Sequence, residues 1–359
     1  MLFAAACARK KGTGYPGYAL IATSGDNSIA AVDLTRFQLA KIISVGAPPS
    51  AVLAGVTSSH NYVLTPGNGS VHIVDANLNV IASRKLSNDI AEIRLTFDGK
   101  RLIAIAGSAR ELIEANPVSL SVVARHPLSD PPKQFDISSS GHIAISSGRH
   151  CSVELIDLAS GRHTSAQMSG AVGQVRFRAD GKLLLASNLG DRSLTAFSVP
   201  GLRVVTELPL AMQPQNLCFN ADAGQLFVSG EGMDAVAIVF PYQFEVDQTV
   251  LAGRDPGVMG CSASPSYLFV ASGSGSDISI LDIDTRKMIG IVNVGQKPAF
   301  ITVTPDDQYA LVLNEQSGDM AVIHVQAIRA NRSKTGASLF TMLAVGSKPV
   351  QAAIVPRTI

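Results

Sequence analysis

The feature that most constrains this chain is a phrase of about 42 residues that recurs along nearly its whole length. The clearest copy, residues 296–325, reads QKPAFITVTPDDQYALVLNEQSGDMAVIHV: a proline, an alternating strand, a turn, a second strand, a polar loop and a third strand. A fourth strand follows and ends near a glycine. The same order appears in QVRFRADGKLLLASNLGDRSLTAFSV (174–199), PQNLCFNADAGQLFVSGEGMDAVAIVF (214–240) and PGVMGCSASPSYLFVASGSGSDISILDID (256–284). It appears again in 92–107 and 134–158, and more loosely in 51–75. A supersecondary unit of this length cannot bury both its faces alone, so successive copies must stack on one another.

The ends of the chain show how the stack closes. The first copy, from Tyr18 to Gly46, supplies only three strands (ALIATS, SIAAVDL, LAKIISVG) and lacks its opening one. Residues 348–356, KPVQAAIVP, are an opening strand with no followers. Joined, they complete one blade, so that the ring closes without a blade left short of a strand. The reading is an all-β fold, a single β-propeller of eight four-stranded blades, the C-terminal strand closing the N-terminal blade. Seven blades is the alternative if the loosest copy is irregular. The expected blades are 18–46 with 347–356, 47–87, 88–130, 131–170, 171–211, 212–253, 254–295 and 296–346, after a segment 1–17.

Composition narrows the partners. Hydrophobic residues make up 46% of the chain and charged residues 16%, with a mean hydropathy of +0.25. Yet the apolar residues come in runs of four to six ended by turn formers, far short of the ~18 of a spanning helix. That is the pattern of sheets covered on both faces. The net charge is +1 with no basic block, so no nucleic-acid partner is expected. The chain has no Trp, and its four cysteines (Cys7, Cys151, Cys218, Cys261) form no CxxC, haem-attachment or zinc spacing. No metal and no cofactor are expected, and a monomer is.

Turn chemistry agrees with the strands. Asp98-Gly99, Asp180-Gly181 and Asp306-Asp307 sit between first and second strands, where a hairpin wants residues tolerant of positive φ. Pro49, Pro132, Pro214, Pro256, Pro298 and Pro349 open first strands, where a missing N–H costs least. On the opening PAFITVTPDD (298–307), the second strand LFVAS (268–272) and the strand endings Asp33–Thr35, Asp157–Ser160 and Asp282–Thr285, the chain resembles the YVTN family of bacterial β-propeller repeat proteins over about residues 18–356. No copy spells Tyr-Val-Thr-Asn; LASN (185–188) and LVLN (311–314) come near. The resemblance implies the propeller fold within the lactonase-like and WD40-like superfamily, which hosts lactonases, redox enzymes and plain binding scaffolds.

The opening MLFAAACARKK is similar to the tail of a lipoprotein signal, small residues leading to Cys7, although Ala4 stands where a lipobox has Leu. Residues 1–17 are therefore expected to be a truncated signal-like segment and tether. Cys7 would be the lipidated residue, and the chain extracytoplasmic, periplasmic or at the cell surface. A lipid on Cys7 would be its sole link to a membrane.

Two places could carry function. First strands should edge the central channel, and they split at period 2. Ile93/Leu95, Phe135/Ile137, Val175/Phe177, Leu217/Phe219, Ile301/Val303 and Ala352/Ile354 are apolar and should pack between blades. The alternate positions are polar: Glu92, Gln134, Gln174, Asn216 and Gln351 at one level, then Arg94, Asp136, Arg176, Cys218, Ser262 and Thr302. They describe either a ligand funnel or a ladder tying blades together. The second place is the face of the loops between second and third strands. Its aspartates recur and read as turn caps. Arg110, Arg149, His150 and Arg192, on three consecutive blades, would suit a carboxylate or phosphate, and Glu231 lies on the same face. The insertion 327–338, with Arg329, Arg332 and Lys334, interrupts the last copy.

The favoured reading is a non-enzymatic binding scaffold for a small molecule or an as yet unidentified protein. The alternative is a lactonase-like hydrolase, with Glu231 or Glu92, His150 and Arg149 as counterparts of that family's acidic, His and Arg residues. A redox-associated propeller is disfavoured by the missing Trp and haem-attachment motif.

Overall fold

The computed structural model describes residues 14–56, 59–148, 151–328 and 338–357. Among them are thirty-two strands in eight antiparallel sheets of four, set around a central channel. In each blade the first strand of the repeat is innermost and the other three follow outward in chain order. Blade 1 is the exception that closes the ring. Its innermost strand is Pro349–Pro356, which pairs antiparallel with Gly17–Thr23, followed outward by Ser28–Asp33 and Gln38–Ser44. The eight-bladed reading and the closure by the C-terminal strand both hold. The loose copy is a full blade whose innermost strand, Ala51–Leu53, is short.

Burial explains the apolar runs. Second and third strands lie between neighbouring blades on both faces, so strands such as Leu102–Ala106 and Tyr309–Asn314 are buried throughout. Outer strands alternate, as in Glu245–Leu251, because only one face meets protein. The innermost strands of blades 4 to 8 each carry a register shift after their first or second residue. In four of these five the residue before the shift is proline: Pro132, Pro214, Pro256 and Pro298. A bulge is where a residue without an N–H is tolerated. The next turn uses left-handed backbone, at Gly99 (φ 66°), Gly181 (φ 67°) and Asp307 (φ 55°).

Eight apolar clusters fill the gaps between blades. Ile103, Ile105 and Leu112 of blade 3 meet Phe135, Ile137 and Ile143 of blade 4. The gap between blades 8 and 1 is filled in the same way: Leu311, Leu313 and Val322 pack on Ile21, Val32 and Ala352. Both chain ends therefore contribute to one core, and closure rests on apolar burial as well as on the strand ladder.

Removing residues 348–359 would strip blade 1 of its inner strand, bare the edge of Gly17–Thr23 and open the last interblade core. The truncated chain is expected to lose its cooperative thermal transition and to self-associate through that edge. Circular dichroism melting and size-exclusion chromatography test this; an unchanged monomeric melt would show that closure is dispensable.

Candidate functional site

Each innermost strand bonds its own blade along one edge and faces the channel with the other. That second edge leaves backbone N–H groups that need acceptors. The polar residues of the channel supply them from the neighbouring blade. Glu92 Oε2 accepts the Phe135 N–H (3.2 Å), Asp136 Oδ2 the Phe177 N–H (2.8 Å), Gln174 Oε1 the Leu217 N–H (3.0 Å) and Gln351 Oε1 the Val52 N–H. Each bond runs from one blade to the next in the same sense around the ring.

The charged residues assemble on the same wall. Arg94 donates to Glu92 Oε1 through Nε (2.9 Å) and reaches Asp136 Oδ1 through Nη1 (3.3 Å). Arg176 approaches that Asp136 oxygen from the other side at 3.8 Å. Asp136 thus lies between two guanidinium groups on adjacent blades. Burial and the neighbouring Arg94 charge pull the Arg176 guanidinium below its ordinary pKa, opposed by Asp136 and Glu92. Asn216 donates to Ser229 Oγ (3.3 Å), which donates onward to the Gly257 carbonyl. Gln134 is half-buried at the same level as Glu92.

Backbone bonds at the end of each inner strand correct one assignment. Ser262 N–H bonds the Tyr267 carbonyl as Thr96 bonds Arg101 and Thr304 bonds Tyr309, so Ser262 opens the turn. The level of Arg94 is held in blade 7 by Gly260, and Ser262 turns its hydroxyl to the Pro265 carbonyl. At Gly260 a Cβ would come within 2.9 Å of Ile301 Cγ2, so the glycine lets two inner strands approach closely. Among the described residues, the inner strands carry charge at the Glu92 and Arg94 levels only on blades 3 to 5.

The loop-face candidates do not converge among the described residues. Arg110 and Arg192 are exposed, and both occupy the left-handed position of the loop between second and third strands (φ 51° each). The carbonyls of both accept the N–H that follows the outer strand, as those of Asn27, Gly69, Cys151 and Gly318 do in other blades. They are thus equivalent positions of the repeat. Glu231 is exposed and accepts from Gln215 Nε2 (2.8 Å). The aspartates cap turns: Asp26 accepts the Ser347 N–H, and Asp234 the Asp255 N–H. Arg149, His150, Cys7 and the insertion residues Arg329, Arg332 and Lys334 lie outside the described residues. Of the hydrolase counterparts, Glu92 is committed to Arg94 and the Phe135 N–H, and Glu231 is exposed at the end of the second strand of blade 6, held by Gln215 of the innermost strand.

Sequence reading missed two buried clusters. Glu114 is paired with His126 Nε2 (2.6 Å) and Arg101 (3.5 Å) in the outer half of blade 3. Glu154, on the third strand of blade 4, is 5% exposed and accepts the Ser129 N–H (3.0 Å). Burial raises its carboxyl pKa, aided by the charge of Asp130 and opposed by hydrogen bonds from the Ser129 and Asp130 N–H groups. A lone Glu inside VELID was the available signal for the second cluster.

No protein-family model matches the chain. It is 27% identical over 143 residues to a protein of Mycobacterium tuberculosis described as the seven-bladed β-propeller protein Rv1057. That match covers 37% of this chain and 35% of the relative, so the chain spans about a third of that relative's length. Among solved structures it is similar to the dihydro-heme d1 dehydrogenase NirN (TM-score 0.80, 14% identity, 97% of this chain and 77% of that one). It is also similar to apo AztD from Citrobacter koseri (TM-score 0.71, 10% identity, 94% and 97%). At these identities the likeness establishes the propeller fold alone.

Two substitutions test the energetics. Asp136→Ala would leave the Phe177 N–H without its acceptor and set Arg94 against Arg176, at a cost of about 2–4 kcal/mol in urea denaturation. Arg192→Ala, on the rim, should stay within about 0.5 kcal/mol. For Glu154 the raised folded-state pKa means that the unfolded chain releases its proton first as pH rises. Stability should therefore fall from the ordinary carboxylate range up to that raised value. Glu154→Gln should flatten this part of the pH–stability profile; parallel profiles would show that Glu154 does not titrate in it.

Proposed function

We propose that this chain is a non-enzymatic binding scaffold whose ligand site is the central channel, and that the ligand is a small molecule bearing a carboxylate or phosphate group that lodges on Arg176. The observation that carries this is the imbalance left after the channel's internal bonds are counted. The carboxylates of Glu92 and Asp136 and the amide oxygens of Gln174 and Gln351 are all engaged. The donors are not. Arg176 stands 3.8 Å from Asp136, beyond hydrogen-bond reach, with 29% of its side chain exposed. The Nε2 groups of Gln174 and Gln351 have no partner among the described residues. A wall with spent acceptors and spare donors favours an acceptor-rich guest, and a guanidinium matches the oxygens of a carboxylate or phosphate.

The resemblance to YVTN repeat proteins and the extracytoplasmic placement, with Cys7 as lipid acceptor, belong to the same proposal. Both are compatible with a rigid ring that holds a ligand.

The test is a thermal-shift and calorimetric titration with inorganic phosphate, citrate and sugar acids. A ligand at 100 times its Kd should add about 2.7 kcal/mol of stability. Arg176→Gln should abolish the shift, while Arg110→Ala with Arg192→Ala should leave it intact. A shift that survives Arg176→Gln and vanishes in the double variant would move the site to the loop face.

A further inference from the structure

Two of the cysteines, 43 residues apart in sequence, are brought together at the channel wall. Cys218 lies on the innermost strand of blade 6 and Cys261 at the end of the innermost strand of blade 7. Their sulfurs are 3.6 Å apart, and both residues are half-buried. The contact follows the step that Asp136 makes to Phe177: a side chain at the Arg94 level reaches the next blade one residue further along. Neither strand carries a CxxC, so the pairing arises from the ring.

We infer that Cys218 and Cys261 form a redox-active dithiol that exchanges with small-molecule disulfides and closes into a disulfide stapling blade 6 to blade 7. The roles are unequal. The hydrogen bond from Cys261 lowers the Cys218 pKa, burial opposes this, and the Arg176 charge adds to the lowering. The Cys261 thiol is pushed well above its ordinary value by that same hydrogen bond, by burial and by the charge on Cys218. Cys218 is thus the attacking thiolate and Cys261 the resolving thiol.

The chemistry balances with a disulfide RSSR as oxidant. Cys218 thiolate attacks one sulfur, forming Cys218–S–S–R and releasing RS⁻, which takes up a proton. The Cys261 sulfur then attacks the Cys218 sulfur of the mixed disulfide. Its proton passes to the second departing RS⁻. Two protein thiols and one RSSR become one protein disulfide and two RSH, with two electrons passing to RSSR. On closure the 3.6 Å sulfur contact shortens to a bond of about 2.04 Å. This inference does not depend on the channel ligand.

The experiment is to treat the reduced full chain with oxidised glutathione at several pH values and map peptides without reduction. The expected product links the peptides of Cys218 and Cys261, with Cys151 left out of the link. In C261S the glutathione adduct should persist on Cys218, and in C218S no link should form. Arg176→Gln should raise the pH midpoint of Cys218 modification and slow its reaction several-fold at pH 7. Separate glutathione adducts on both cysteines of the wild type, or reaction of Cys151 alone, would overturn the inference. Phosphate and citrate titrations of the C218S/C261S double variant report independently on the ligand site.

Discussion

The inner edges of the blades set the terms for the rest of the molecule. Each blade is a four-stranded sheet with an outer edge toward solvent and an inner edge of backbone N–H groups facing the axis. Each such group, if buried without an acceptor, costs about 1–3 kcal/mol. The structure meets this with side chains that cross from blade to blade: Glu92 to Phe135, Asp136 to Phe177, Gln174 to Leu217 and Gln351 to Val52. Polar residues at these positions therefore have a structural duty before any functional one. The site has to be sought in what that duty leaves over, chiefly the donors of Arg176 and the sulfur of Cys218.

The fold was legible because its determinants are repeated and local. Alternation, turn glycines and strand-opening prolines mark each blade several times over, and the strand missing from the first copy is found at 349–356. The inner register was legible only where the turn was marked. Blade 7 has Ala263-Ser264-Pro265-Ser266 where blade 3 has Phe97-Asp98-Gly99-Lys100, and without the Asp-Gly signal the count slipped by two residues, from Gly260 to Ser262. The equivalence of Arg110 and Arg192 was hidden for another reason. Their position is defined by a left-handed backbone and a carbonyl bond, and its other occupants include Asn27, Gly69 and Cys151, which share no side-chain chemistry. The approach of Cys218 to Cys261 depends on how two blades abut, which no spacing along the chain encodes.

The relative from Mycobacterium tuberculosis is described as seven-bladed, while this chain has eight blades, and the two facts are compatible. A match of 143 residues spans about three and a half repeats. In a repeat protein such a stretch reports on the blade and its neighbour contacts; the size of the ring is fixed by how many copies intervene before the ends meet. Here the ends meet after eight, in the ladder between Gly17–Thr23 and Pro349–Pro356. The same logic explains how a TM-score of 0.80 accompanies 14% identity: blade packing needs apolar alternation and turns, which many sequences supply.

A ring of similar blades becomes a site only where the similarity breaks. At the level of Arg94 the eight inner strands present Ala353, Leu53, Arg94, Asp136, Arg176, Cys218, Gly260 and Thr302 in order around the axis. Charge is confined to three consecutive blades, and small or apolar residues line most of the remainder. Within the charged arc Asp136 is shared by two cations, so the arc is not self-neutralising at its end. Arg176 closes the arc and lies next to the thiol pair, and its charge acts on Cys218. An anion on Arg176 would weaken that influence and raise the Cys218 pKa, while a closed Cys218–Cys261 disulfide would remove the thiolate that competes for the guanidinium. Ligand and thiol chemistry on this wall would then be coupled through one guanidinium, each altering the other without any movement of the ring.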